Sequence, residues 1–413
     1  MTGVQTCALP ILIEAASVFH GVIVLNENEI ERYNSIYELR KKEDFDILKF
    51  VPASGAATRM FEPLYSALTQ LQSGKELNQI QDDVQLFLEN LAQFAFYDDL
   101  VLHLPFNRKP NSAQEACRAI EALLTEKGLN YGRLPKALLP FHRCNESVRT
   151  SIEEHLIEGA LYAKNNRNKV RLHFTVSKEH QQAVNELIDQ LQPGLESRWG
   201  ANFEICLSNQ KPATDSIAVT PENELLRNPD GSLFFRPAGH GALIENLNDI
   251  HADIIFIKNI DNVVPDHLKK LTCEYKKALA GVLLTVQNQL FRYQKLLDEN
   301  EADQLESEVY AELNAFVEDV LCVSPPRSLL GGSKEDLYQY FKCKINRPVR
   351  ICGMVKNTGE PGGGPFFALN PDHTVSLQIV EGTQVDFHNP EQVKIFRQAT
   401  HFNPVDLVCG VKN

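Results

Sequence analysis

Lys49-Phe50-Val51-Pro52-Ala53-Ser54-Gly55-Ala56-Ala57-Thr58-Arg59-Met60 joins an apolar run, residues 47–51, to a helix-like run, residues 60–71. Only small residues and one arginine lie between the two. A strand that enters a helix through a small-residue loop is one way α/β proteins hold phosphate. Backbone N–H groups and the helix N-terminus face the anion, and small side chains let the backbone come close. Arg59 would add a planar charged fork. The stretch also reads as an ordinary strand-turn-helix with a solvated arginine, and taken alone it leaves both readings open.

On either side of this stretch the chain alternates. Residues 30–42 predict a short polar helix. Residues 84–96 and 113–127 show helical spacing, the second with Ile120, Leu123 and Leu124 on one face. Asn145 or Ser147 is placed to cap a helix running to Lys164. A strand over 170–176, a helix over 179–191 and a strand over 203–207 follow, then a short strand at 233–235 and a helix starting at 243–247. This β-α-β rhythm predicts an α/β fold, a mainly parallel sheet with covering helices. Residues 253–258 read as a strand whose core, 254–257, is apolar on both faces, the pattern of a central buried strand. Asn259-Ile260-Asp261-Asn262 stands at its carboxyl end, where open α/β sheets bind ligands. Long helices are expected over 265–297 and 306–321, and a part rich in short strands and glycine from Arg350 onward.

The 413 residues suffice for one large domain with appendages, or for two. A formal net charge of −13 argues against a nucleic-acid polymer or a membrane surface as partner, since few cations are spare to neutralise phosphates. A small anion needs only a few local cations. The nine cysteines form no Cys-x-x-Cys pair, which suits a reducing cytoplasm. Residues 1–10 read as a non-native scar, with a truncated native end expected at the C-terminus as well.

Lys136 sits in Leu134-Pro135-Lys136-Ala137-Leu138-Leu139-Pro140, a proline-bounded loop. Reaction at the α-phosphorus of a nucleotide needs such a cation, because its oxygens repel an incoming anion. A solvated surface lysine is the competing reading. Asp261 suits Mg²⁺, which takes few carboxylates and completes its shell with waters and phosphate oxygens; a turn capping the next helix explains it equally. Gly239-His240-Gly241 would let a backbone approach a base or ribose, or is simply a tight turn. No nucleophile elbow, zinc-protease motif, P-loop lysine or dinucleotide fingerprint is present.

Together these pieces resemble the sugar-nucleotide pyrophosphorylases, whose signature L-A-G-G-x-G-T-R-[LM] is followed by P-K-x-L-L-P. Residues 52–60 resemble the first half and residues 135–140 the second, so residues 61–134 form a helical insertion. The branch acting on UTP and sugar 1-phosphates adds P-P-G-H-G, N-[IV]-D-N, L-E-x-A-Q-V and a terminal asparagine-rich motif. Residues 237–241, 259–262, 380–385 and 402–412 resemble these in order. The chain also looks like a bacterial family, domain of unknown function family 4301, itself similar to nucleotide-diphospho-sugar transferases. Ser54 and Ala57 depart from the signature, standing where it has glycine, and Asp406 and Gly410 stand where it has asparagine.

The resemblance implies a Rossmann-like, GT-A-like α/β sheet and a Mg²⁺-dependent transfer from an NTP, UTP favoured, to a sugar 1-phosphate. It implies catalytic roles for Arg59, Lys136 and Lys412, and Asp261 as metal ligand. Ala53, Ser54, Gly55, Ala57, Thr58, Gln210, Gly239, His240 and Gly241 would line the nucleotide. Asn357, Glu360, Gly363 and Glu381 would lie near the sugar. A binding or regulatory protein that keeps the fold is the second reading. A glycosyltransferase is the third, without the Asp-x-Asp motif it should carry. The expected divisions are 1–10, an N-terminal helical segment 11–46, an α/β domain 47–325 and its C-terminal part 326–413.

Overall fold

The computed structural model describes residues 9–412 except 56, 145–146, 221–223, 238, 330 and 360–361, and not the side chains of Arg59 and His240. Among these residues the chain is mixed α/β with several sheets, the largest of six strands. That sheet contains all four strands expected to share one: β1 (Ile47–Pro52), β2 (Lys169–Thr175), β3 (Asn202–Ser208) and β4 (Ile254–Lys258). No helix among the described residues is long and apolar enough to cross a membrane. The chain forms two compact units, one of Met1–Asp46, Ala252–Ile257 and Glu274–Asn413, the other of Ile47–His251 and Lys258–Cys273.

In the unit that begins at Ile47, β1, β2 and β3 run parallel, with Pro52 opposite Thr175 and Thr175 opposite Ser208. Every residue of β1 is buried, Lys49 included, which explains why the rest of the strand is apolar on both faces. Residues 61–134 carry α1 (Glu62–Gln72), two short helices (Asp82–Glu89 and Tyr97–Val101) and α2 (Ala113–Leu124). Leu64, Leu68, Val84, Leu88, Ile120 and Leu123 join in a core of their own, and no strand occurs among the described residues from 57 to 139. The next helix, α3 (Ser151–Tyr162), is capped by Thr150, whose Oγ1 accepts from Glu153 N at 3.3 Å. The caps expected at Asn145 or Ser147 are corrected: Ser147 opens the strand Ser147–Thr150, so the helix starts later, and Asn145 lies outside the described residues. Helix α4 (Gln181–Trp199) runs past the end expected at Leu191 and contains Pro193. Buried Leu195 holds this extra stretch, and Gly200, at φ 53°, ends it in the left-handed conformation. Ile152, Leu156 and Ile157 of α3, with Val184 and Ile188 of α4, pack with Val170, Leu172 and Phe174 of β2.

The other unit holds an antiparallel sheet of Ile11–Ala15, Gly364–Leu369, Val375–Val380 and Val323–Ser324. The segment read as helical over 11–46 therefore opens with a strand, and its helix, Glu27–Arg40, begins at an Asn26–Glu29 capping box. The outer side of the Ile11–Ala15 strand is occupied at Leu12, whose N–H and carbonyl bond the Gln392 side chain at 2.7 and 2.9 Å. Val349–Cys352 pairs antiparallel with Asp406–Gly410. Helix α5 (Asp266–Glu299) has 34 residues, of which those from Glu274 onward belong to this unit. A Cβ at Gly281 would collide with the Tyr33 carbonyl, so the helix Glu27–Arg40 meets α5 backbone to backbone there. The helix expected to reach Leu321 is α-helical only over Ser307–Ala315 and closes with a π turn, Phe316–Val320.

Candidate nucleotide site

The loop after β1 is built from buried small residues. Ala53 and Ala57 are fully buried, and Ala53 N donates to Thr175 O at 2.9 Å, which ties the end of β1 to the end of β2. Half-buried Ser54 and exposed Gly55 follow, and a 3-10 turn, Ala57–Arg59, carries exposed Thr58. Lys136 N donates to Gly55 O at 3.4 Å. The two loops read from sequence as halves of one signature thus touch, although an 80-residue stretch separates them. Lys136 opens its own 3-10 turn, Lys136–Leu138, anchored by buried Ala137 and by Ser151 Oγ, which donates to Lys136 O at 2.9 Å.

Lys136 Nζ reaches Asp261 Oδ2 at 2.5 Å, with the two side chains 23% and 37% exposed. This is a solvent-accessible pair, open to exchange with a ligand. Asp261 follows the carboxyl end of β4 in a turn closed by Asn262 N donating to Asn259 O at 3.1 Å. Two side-chain oxygens near the strand ends, Asn259 Oδ1 and Thr175 Oγ1, are buried without a hydrogen-bond partner among the described residues. Buried polar atoms are almost always bonded, so orphans at strand ends favour a polar ligand. No group of three or more His, Cys, Asp or Glu side chains among the described residues could hold a metal by itself. One carboxylate with an orphaned amide oxygen nearby fits a Mg²⁺ that arrives on nucleotide phosphates, not an all-protein cage.

A family model described as Domain of unknown function (DUF4301) matches residues 3–413. The chain belongs to that family. None of the curated proteins matches it. In this DUF4301 protein the small-residue loop meets Lys136 at Gly55, and Lys136 pairs with Asp261 just past the end of β4.

The other predicted positions in this unit have local partners. Half-buried Gln210 donates from Nε2 to Asp215 Oδ1 at 3.3 Å. Gly239 and Gly241 are exposed at the 3-10 turn His240–Leu243. The side chains of Arg59 and His240 lie outside what the structure describes. The remaining predicted positions fall in the other unit. There Lys412 Nζ pairs with Asp253 Oδ1 at 3.2 Å. Asn357 Oδ1 accepts from Gly359 N at 3.0 Å, and Glu381 N donates to Gln384 Oε1 at 2.9 Å in a capping box. A Cβ at Gly363 would collide with Ile379, so strand packing alone accounts for that glycine. Glu360 lies outside the described residues. Asp406, one of the departures from the signature, pairs with buried Lys276.

Sequence reading missed the charges beneath the site of this DUF4301 chain. Glu158 on α3 is fully buried between Lys49 of β1 and Lys258 of β4, with Nζ to carboxylate distances of 2.8 Å on each side. Burial alone would raise its pKa, but Lys49 and then Lys258 outweigh that and hold the carboxyl well below the ordinary range. One turn earlier, buried Glu154 is held by His142 Nδ1 at 2.8 Å and Lys269 Nζ at 2.7 Å. The available signal was a lysine inside each of the two most apolar strands, since a strand buried on both faces obliges its lysines to find acids.

Proposed function

We propose that this protein is a Mg²⁺-dependent nucleotidyltransferase that joins an NTP, UTP by preference, to a sugar 1-phosphate and releases pyrophosphate. The observation that carries the reading is the meeting of Lys136 with Asp261 at 2.5 Å, beside the Gly55–Lys136 loop contact and next to strand ends. Without phosphate the two charges neutralise each other. With nucleotide bound, Lys136 would leave Asp261 for the α-phosphate, where a cation offsets charge that builds in the transition state. Asp261 would hold the Mg²⁺ that arrives with the triphosphate, and that ion supplies further charge neutralisation at the phosphate oxygens. The sugar phosphate oxygen attacks the α-phosphorus in line, and the bond to pyrophosphate breaks. No protein nucleophile is required.

A second reading, a binding protein without turnover, is favoured by one detail. The Ala57 methyl is fully buried where the signature glycine would leave room for phosphate. One assay separates the two readings. The full chain is incubated with mixed NTPs, Mg²⁺ and a panel of sugar 1-phosphates, and pyrophosphate is measured. Release that depends on both substrates supports the enzyme. Nucleotide binding by calorimetry without release rejects the enzyme for the binder, and absence of both rejects the site.

A further inference from the structure

We propose that His155 is a positioning residue for Asp261. From the buried face of α3 its imidazole holds the two peptide carbonyls that precede Asp261 and so sets where the carboxylate meets Lys136. His155 Nε2 lies 3.1 Å from Asn259 O and 3.2 Å from Ile260 O. Carbonyls only accept, so Nε2 carries the proton and is shared between them. Burial, followed by the charge of Lys49, pushes the imidazole pKa well below its usual value, so the ring is neutral and Nδ1 bears no proton. Nδ1 is buried without a partner among the described residues. A position that only needed filling would take an apolar side chain and orphan nothing. Here one nitrogen goes unsatisfied so that the other can face two carbonyls, which marks the carbonyls as what the ring is there to hold. Phe174 meets the ring edge-on, with centroids 6.4 Å apart.

The helix that carries this ring is itself fixed. One turn along α3, Glu158 binds Lys258, the residue just before Asn259, and Lys49 of β1. Lys49 Nζ also donates to His155 O at 3.1 Å. His155 thus takes over at the point where strand hydrogen bonding ends, and holds the two residues between Lys258 and Asp261. The consequence for nucleotide binding rests on the function proposed above. The geometry does not.

The test therefore starts without ligand. Lys136 acylation by acetic anhydride is followed by mass spectrometry in the full chain, with exposed Lys178 as internal reference. His155→Leu should raise Lys136 labelling about tenfold, to the level of Asp261→Asn, the weight of one charge-assisted hydrogen bond. His155→Gln, whose amide N–H reaches near the Nε2 position, should stay within about twofold of the parent. Unchanged Lys136 labelling in folded His155→Leu would overturn the proposal. Should the leucine variant fail to fold, His155→Gln is compared with His155→Asn, whose shorter amide reaches only the Nδ1 position. Protection by glutamine alone supports the proposal, and equal labelling overturns it. Calorimetry with Mg·UTP is then run on the same proteins. Absence of UTP binding by the parent chain would remove the nucleotidyltransferase reading alone, because the labelling result decides His155 without ligand.

Discussion

Replacing Glu158 by glutamine keeps the shape of a fully buried side chain and removes its charge, which tests whether the lysine pair beneath the site depends on it. Each ammonium lies 2.8 Å from the carboxylate. At an effective dielectric constant of about 20, one such pair is worth about 6 kcal/mol of gross attraction, most of it offset by desolvation. Glutamine can accept from one lysine, while its amide N–H₂ faces the other, so both buried ammoniums lose their counter-charge and one also loses an acceptor. Breaking a buried pair in this way costs about 3–5 kcal/mol. Trp199, the only tryptophan, ends α4 in the same unit, so its fluorescence in a urea titration reports this unit. A loss of less than about 1 kcal/mol would refute the argument, because it would mean that the lysines are satisfied without the carboxylate. The pH dependence has a fixed sign. Glu158 is depressed in the folded state, so its contribution is fully present above the pKa of the unfolded chain and fades as pH falls toward the folded value. The gap between parent and Glu158→Gln should be full at neutral pH and narrow only below about pH 4. A gap that widened in acid would contradict the assignment.

Three other outcomes are expected. Lys136→Ala should cut pyrophosphate release by about 100-fold or more, the scale of a lost transition-state charge contact, and turnover within about threefold of the parent would exclude Lys136 from catalysis. Asp261→Asn should abolish the Mg²⁺ dependence of UTP affinity in calorimetry while leaving the circular dichroism spectrum intact; a retained dependence would reject it as a metal ligand. Gly281→Ala should destabilise the unit of the long helix by about 1–3 kcal/mol through overpacking against the Tyr33 carbonyl. A denaturation midpoint followed by helical ellipticity checks this, and an unshifted midpoint would contradict the backbone contact.

Much of the fold was legible where a single physical rule dominates. Residues 254–257 declared a buried strand because nothing in them suits water, and Asp261 was marked by standing just beyond that strand. The signature halves were legible as loops, but their meeting came only from the resemblance, since spacing in sequence says nothing of closure in space. Helix ends were misplaced where packing overrode local chemistry: the helix expected to end at residue 191 runs through Pro193, and buried Leu195 carries α4 on to Gly200. The strand Ile11–Ala15 went unread because its partner, Gly364–Leu369, lies more than 300 residues away. His155 and Glu158 were illegible for a different reason. A polar residue on a helix is ordinarily counted as an outward face; only the lysines of two strands reveal why Glu158 points inward, and only the carbonyls after β4 why His155 does.

The separate core of residues 61–134 bears on chain entropy at the Gly55–Lys136 contact. Closing a flexible loop of about 80 residues would cost about 4 kcal/mol by the logarithmic length law, more than one backbone hydrogen bond returns. A segment held together by its own contacts, among them Leu64, Leu88, Ile120 and Leu123, shortens that loop to the few residues at its two ends. The contact then closes as if Gly55 and Lys136 were near neighbours in sequence. The approach of the two loops is thereby coupled to the stability of helices that contribute no predicted ligand-binding side chain, so core substitutions there would loosen Lys136 from a distance.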